Sequence, residues 1–316
     1  MNLMSLNCRG LGNPDAVGGL RSLIRREAPA IAFLCETKLN GCEMKKIRCS
    51  FNGYDGYDVD SAGRSGGLSI IWRRDVICHL LSASIHHIDF DIELGGQKWR
   101  FTGLYGWPAI QDRYLTWQLM RDLARESSEP WICMGDFNEI LYSTEMKGGS
   151  RAQWQMNNFR DTVDDCKLRE VPYEGYTYTY DNGQDGVANR QSRLDRALST
   201  ESWLDIYPFA KLVNLDREWS DHAPVVVYLE KDAGVGQKRE SLFRFEQIWV
   251  GEEGCEEVIK SAWESGDEDV TMSISRCANK LRAWKGVNIG KITKAIHQRR
   301  RRLKWINEGD RTAANI

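Results

Sequence analysis

Four short polar words, each placed beside an apolar run, constrain this chain more than any other feature. Met4-Ser5-Leu6 leads to Asn7-Cys8-Arg9-Gly10, and Ile31-Ala32-Phe33-Leu34 leads to Cys35-Glu36-Thr37. Trp131-Ile132-Cys133-Met134 leads to Gly135-Asp136-Phe137-Asn138, while Ser220-Asp221-His222 stands before the apolar run of residues 223–229. A buried strand rarely ends in a carboxylate, carboxamide or imidazole without a partner for it, because an unpaired buried polar group is costly. Polar groups brought to strand ends from distant parts of a chain are how α/β sheets assemble a site.

The intervening sequence supports such a sheet. Val17, Leu20, Leu23 and Ile24 fall at helical spacing after the first strand. Residues 66–72, 88–94 and 99–105 read as successive strands, the middle one alternating apolar and polar residues. One helix follows with Leu119, Met120 and Leu123 inward, and another carries Met156, Phe159 and Val163 at i, i+3 and i+7. Tyr176-Thr177-Tyr178-Thr179-Tyr180 has strong strand propensity and ends at the turn signal Asp181-Asn182-Gly183. Runs of strands separated by helices predict two packed sheets with helices outside, not a strict parallel βαβ array. Near Lys231-Asp232-Ala233-Gly234 the pattern stops, which places a domain boundary between residues 1–232 and residues 233–316. The second segment reads as helical, with Ile274, Cys277, Leu281 and Trp284 in one stripe, then Ile289, Ile292 and Ile296, then the basic run Arg299-Arg300-Arg301-Arg302.

Net charge is −2 over 316 residues, so the whole-chain balance does not announce a polyanion binder. The distribution is less even. Residues 271–316 carry 12 basic against 2 acidic side chains, the one asymmetry suited to a nucleic-acid contact. Nine scattered cysteines, without a Cys-x-x-Cys pair, argue against a zinc site and a disulfide framework, and point to a reducing compartment. Cys35 and Cys133, inside apolar runs, are expected to be core thiols. No apolar run approaches the ~20 residues that cross a bilayer.

Acid, amide and imidazole together suit a hard divalent cation and a phosphate, which predicts a phosphodiester-cleaving enzyme. Glu36, directly after a buried strand, is a candidate Mg2+ ligand, since Mg2+ takes one or two carboxylates and keeps most of its waters. Asp136 and Asn138, two apart at a strand end, are expected to leave the same face. One can then take a proton from water while the other orients water or phosphate. An Asx turn is the structural alternative for Gly-Asp-x-Asn. Asp195, in Ser192-Arg193-Leu194-Asp195-Arg196, is either a salt-bridge partner or the acceptor that fixes His222 in tautomer and holds it cationic. Tyr105 is either an interface tyrosine or a donor to a phosphate oxygen.

In order and spacing these words resemble the endonuclease/exonuclease/phosphatase superfamily, and most closely the endonuclease domain of plant LINE-type (non-LTR) retrotransposons. The segments from Leu6 to Gly12 and from Glu36 to Lys38, Gly66-Gly67-Leu68, Gly135 to Asn138, Arg193 to Arg196 and Ser220 to His222 carry the likeness, over roughly residues 1–230. It implies a four-layer α/β/β/α sandwich of the exonuclease III and DNase I kind, followed by a helical extension. It also implies a nicking DNA endonuclease that uses Mg2+, or Mn2+ in its place, and leaves a 3′-hydroxyl. By the same resemblance Glu36 binds the metal with help from Asp221, and Asp136 activates the attacking water. Asn138 and Asn7 orient water, metal or phosphate, while Tyr105 and the His222–Asp195 pair stabilise the pentacoordinate phosphorane. Some relatives carry a carboxylate two residues after the asparagine where this chain has Arg9, which weakens a second metal position. Phe243-Arg244-Phe245-Glu246 and the segment from Trp305 to Arg311 resemble the linker leading to a reverse transcriptase. No Tyr/Phe-x-Asp-Asp word follows, so the expectation is a truncated chain whose extension packs on a polymerase it lacks. A monomer that acts on DNA in the nucleus is the corresponding expectation. A phosphatase acting on a small phosphorylated molecule, and an inactive nucleic-acid-binding remnant, are the competing readings.

Overall fold

The computed structural model describes residues 1–63, 65–229, 254–263, 273–274, 276–281 and 283–284. It forms two compact units, Met1–Asp232 and Ala233–Ile316. In the first, β1 (Asn2–Asn7), α1 (Pro14–Glu27), β2 (Ile31–Cys35), α2 (Gly41–Arg48), β3 (Tyr54–Ala62) and β4 (Ser65–Arg73) open the chain. There follow β5 (Ile77–Ser84), β6 (His87–Leu94), β7 (Gln97–Tyr105), α3 (Arg113–Glu126) and β8 (Trp131–Asp136). Shorter pieces come next: β9 (Met146–Lys147), α4 (Gln153–Asp165), β10 (Leu168–Glu170), β11 (Tyr173–Gly175), β12 (Tyr180–Asp181) and β13 (Gln191–Ser192). The unit closes with β14 (Asp195–Thr200), α5 (Glu201–Ile206), β15 (Lys211–Asn214) and β16 (Val225–Tyr228).

Two sheets carry the unit. One has seven strands in the order β11-β15-β16-β1-β2-β4-β3, the other six in the order β10-β14-β8-β7-β6-β5. Alternation along the central strands divides their side chains between two cores. Leu3 of β1, Phe33 of β2, Phe101 of β7 and Ile132 and Met134 of β8 meet in one cluster between the sheets. Met4, Leu6, Ala32 and Leu34 face the other way, onto Ala16, Leu20, Leu23 and Ile24 of α1 and Met44 and Ile47 of α2. On the second sheet Leu104, Trp131 and Cys133 pack outward on Trp117, Met120 and Leu123 of α3 and Phe159 of α4. The architecture is therefore α/β/β/α. Central strands covered on both faces are apolar throughout, which is why Ile31-Ala32-Phe33-Leu34 and Trp131-Ile132-Cys133-Met134 show no alternation.

Helix ends follow their sequence signals. Asn13 caps α1, its side chain accepting from the Ala16 amide with Pro14 at the first position. Asn40 and Glu43 form a reciprocal capping box on α2.

The structure departs from the sequence pattern in several elements. The Tyr176–Tyr180 segment is not a strand: only Tyr180 of it enters β12, because its polar atoms brace neighbouring loops instead of a ladder. The strand after His222 begins at Val225, two residues later than the apolar run. The edge strands β3 and β5 escape pattern reading, since Asp55, Asp58 and Asp60 interrupt one, and Ile77, Leu80 and Leu81 lie exposed on the other. In the second unit α6 (Cys255–Trp263) contributes Cys255 to a small core with Leu281 and Trp284. Cys277 packs against that core, but Ile274 is 55% exposed and leaves the predicted stripe. Ile289, Ile292, Ile296, the basic run 299–302 and the segments 243–246 and 305–311 lie outside the described residues.

Candidate active site

The same alternation that fills the inter-sheet core places the site. Residues Leu3, Ser5 and Asn7 share one face of β1, Phe101, Gly103 and Tyr105 one face of β7, and Ile132, Met134 and Asp136 one face of β8. Asn7, Tyr105 and Asp136 are thus the last inward residues of three strands, at the open end of the core. Register joins them: Tyr105 pairs with Asp136 across β7 and β8, and Asp136 with Asp195 across β8 and β14.

Glu36 reaches the same end by a sharp departure from β2, with φ +49°. The Gly66-Gly67 corner of β4 holds that departure, its carbonyls accepting from the Thr37 and Lys38 amides at 3.0 Å. Gly67 has φ +81°, and a Cβ there would lie 2.4 Å from the Thr37 hydroxyl, so only glycine fits. The polar end of β8 depends on Gly135 in the same way. At φ +154° its absent Cβ would stand 1.8 Å from the Leu104 carbonyl oxygen.

Asn7 is the hub of the arrangement. Its Nδ2 donates to Glu36 Oε1 at 3.1 Å and to Asp136 Oδ2 at 3.0 Å, while its Oδ1 accepts from the Arg9 amide. Tyr105 Oη donates to the same Glu36 oxygen at 2.9 Å. Burial works against the Glu36 charge, but the bonds from Asn7 and Tyr105, with the Lys38 and Arg9 charges, bring its carboxyl below the ordinary value. Burial and the Glu36 carboxylate push the Tyr105 phenol up, so it stays a donor.

Asp136 and Asn138 are joined by a turn, not by strand alternation as expected. The strand ends at Asp136, Asn138 takes φ +54°, and its backbone amide donates to Asp136 Oδ1 at 2.8 Å. The Asx turn and the candidate site are one structure. Asn138 Nδ2 donates to the Gly106 carbonyl at 2.8 Å, which fixes the direction of its Oδ1.

His222 Nδ1 donates to Asp195 Oδ2 at 2.8 Å, and its Nε2 lies 3.9 Å from Asp136 Oδ2. All three residues are buried, and their ligand-type atoms lie within 4.8 Å of one another. Burial opposes a charge on His222, but Asp195 and Asp136 outweigh it and hold the imidazole up at about 9. Burial, with Asp195 adding to it, pushes Asp136 up to about 6. A cationic imidazole with one nitrogen committed to Asp195 offers no lone pair to a metal. The oxygen donors of Glu36 and Asn7, by contrast, are the hard set that Mg2+ prefers, and the buried Asp221 Oδ1 has no hydrogen-bond partner among the described residues. These residues fit a divalent cation. Arg9 Nε lies 3.4 Å from Asp221 Oδ2.

Sequence reading did not assign roles to Ser220 or Thr179. Ser220 Oγ donates to the Asn7 carbonyl at 2.7 Å and accepts from the His222 amide, tying the two words together. Thr179 Oγ1 accepts from the Leu194 and Asp195 amides at 3.0 Å, and its carbonyl accepts from Ala223. Ser220 was visible in its motif; Thr179, within an aromatic run, gave no signal.

The profile of the endonuclease/exonuclease/phosphatase family matches residues 4–222. Among solved structures, the endonuclease domain of TRAS1, a telomere-specific non-LTR retrotransposon, superposes with a TM-score of 0.57 at 18% identity, over 73% of this chain and 99% of that one. The 3′-5′ exonuclease NExo of Neisseria meningitidis gives 0.58 at 18%, over 73% and 100%. The AP endonuclease LMAP of Leishmania major gives 0.57 at 16%, over 73% and 87%. No curated protein matches the sequence significantly. At such identities the superpositions establish a common fold, and the profile, spanning the site from β1 to His222, establishes kinship: the chain belongs to the endonuclease/exonuclease/phosphatase family.

Proposed function

We propose that this protein is a divalent-metal-dependent DNA endonuclease of the non-LTR retrotransposon type, which nicks one strand and leaves a 3′-hydroxyl. The observation that carries the proposal is the pair of hydrogen bonds donated by Asn7 Nδ2, which link a carboxylate suited to a cation, Glu36, to one suited to a proton, Asp136. Glu36, with Asp221, would hold Mg2+, which when bound supplies Lewis acidity and charge neutralisation at a phosphate. Asp136, its carboxyl already pushed up by burial, accepts the proton of the attacking water. Asn138, with its amide nitrogen tied to Gly106, presents an oxygen to orient that water. The His222 imidazolium, steadied by Asp195, would bring positive charge to a phosphorane, and the Tyr105 phenol, whose one proton goes to Glu36 here, would serve it as a donor on release from that carboxylate. DNA is the proposed partner. No described helix is long and apolar enough to cross a membrane.

The test offers supercoiled plasmid and an inositol phosphate in parallel, each with Mg2+ and with EDTA. Mg2+-dependent conversion of plasmid to the nicked circle, abolished by EDTA, is the expected outcome. Release of inorganic phosphate without nicking would replace the proposal by a phosphatase, and metal-independent DNA binding without either reaction by an inactive remnant.

A further inference from the structure

Beside the loops that carry Asp136 and Asn138 lies a groove of about 320 Å3, walled by the start of α3 and the start of α4. Its lining includes Ile110, Tyr114, Trp117, Trp154 and Gln155. Tyr114 is 59% exposed and Trp154 58%, so two large aromatic faces stand open to solvent in the lining. Trp117 closes the back, stacked on Phe159 at 4.6 Å. Two donors in the lining, Arg113 Nε and Gln155 Nε2, are buried and have no hydrogen-bond partner among the described residues. Both side chains are more than nine-tenths buried, so water does not freely satisfy them.

Below the groove one carboxylate serves two guanidinium groups. Glu139, fully buried, receives Arg113 Nη1 at 2.7 Å and lies 3.3 Å from Arg151 Nε, leaving a net positive charge. The same Arg113 donates to the Pro108 carbonyl, three residues beyond Tyr105, and Glu139 follows Asn138 directly. The groove is therefore built on the segments that hold the reaction centre.

Resting on the nuclease reading above, we infer that this groove takes a nucleobase from an unpaired stretch of the strand being cut. Exposed aromatic rings over a positive floor are the composition that binds single-stranded nucleic acid, because each base has a π face and each nucleotide a phosphate. A base also brings ring nitrogens and carbonyl oxygens, acceptors for exposed polar side chains of the lining such as Gln111 and Asn158. A paired base hides its faces in the stack and cannot supply them. An apolar peptide would fill the walls but leave the positive charge without a use. The preferred substrate is then DNA with unpaired nucleotides beside the cut, not continuous duplex.

The test measures binding, so it does not depend on turnover. In an Asp136→Asn background, fluorescence of 2-aminopurine in a single-stranded oligonucleotide and in its perfect duplex gives the two affinities in the presence of Mg2+. Tyr114→Ala and Trp154→Ala, both at exposed positions, are expected to weaken single-strand binding by roughly 5- to 150-fold for each stacking face removed, with duplex affinity nearly unchanged. Trp154→Phe, which keeps a ring, should restore most of the loss. Unchanged single-strand affinity in both alanine variants would give the groove to another occupant and overturn the inference while leaving the nuclease reading intact. An equal loss on duplex and single strand would overturn it as well. Failure of the parent protein to bind either DNA would sink the nuclease reading itself.

Discussion

At the scale of single residues the candidate site separates into a group that must give up its proton and a group that must keep one. Asp136 works as a base only when ionised, and burial has moved that requirement to about pH 6. His222 works as a cation only while protonated, which Asp195 and Asp136 extend to about pH 9. The rate of nicking is therefore expected to rise with pH through about 6, hold a plateau, and fall through about 9. Because the two groups lie 3.9 Å apart, the limbs belong to the pair and not to either residue alone. A profile of kcat/KM against pH with no alkaline fall would show that the imidazolium is not used. Asp136→Asn and Glu36→Gln, nearly isosteric, should each lower nicking by at least ~100-fold without loss of fold, the lower end for a positioned acid–base group. Thermal melting run beside the assay separates the two effects. If Asp195 acts through His222, as proposed, then after His222→Ala a further Asp195→Ala should change the rate by less than about twofold. A double-mutant cycle that proves additive would break the pair.

At the scale of elements, much of this was legible in the sequence. Apolar runs ending in Asn7, Glu36 and Asp136 announced the strands and the polar residues that the fold gathers at their ends, because strands buried on two faces must be apolar and a buried carboxylate there needs a partner. What escaped was how the pieces combine. The Asx turn that Gly-Asp-x-Asn offered as an alternative to a site is the way Asp136 and Asn138 are joined, with a positive φ at Asn138 in place of one more strand step. Thr179 serves two backbone amides from a segment whose tyrosines advertise a strand that does not form. The departures at Gly67 and Gly135 became necessary only once the neighbouring carbonyl and hydroxyl were in place. Gly135 makes the sharper prediction. Alanine there cannot coexist with the Leu104 carbonyl, so β7 and β8 must separate at the residues that carry Tyr105 and Asp136. Gly135→Ala should destabilise the unit by about 3 kcal/mol or more, as overpacking with backbone displacement does. Denaturant unfolding reads that loss, and a change below about 1 kcal/mol would mean that the strand end is looser than its packing implies.

At the scale of the whole molecule, the question is what residues 233–316 add to a unit that already holds its cores and every proposed site residue. Met1–Asp232 contains the inter-sheet core and both helix-covered faces, so we expect it to fold and to nick when made alone. The remainder brings charge. Within it, residues 271–316 carry 12 basic side chains against 2 acidic ones, in a chain whose total is −2. Positive charge set apart in this way acts on DNA through counterion release, which steepens the fall of affinity with salt by about 0.9 in log–log slope for each phosphate neutralised. None of the proposed site residues lies in that segment. Deleting residues 233–316 is therefore expected to flatten the salt dependence of DNA binding while leaving kcat at saturating DNA within about twofold, because every residue proposed for proton transfer and charge stabilisation belongs to the first unit. Affinities of both proteins across a series of salt concentrations give the slopes. Equal slopes would remove the C-terminal segment from DNA binding and leave its charge for a protein partner, such as the polymerase that the sequence resemblance implies. Failure of the shortened protein to fold would show that the boundary at Asp232 cuts through a cooperative unit.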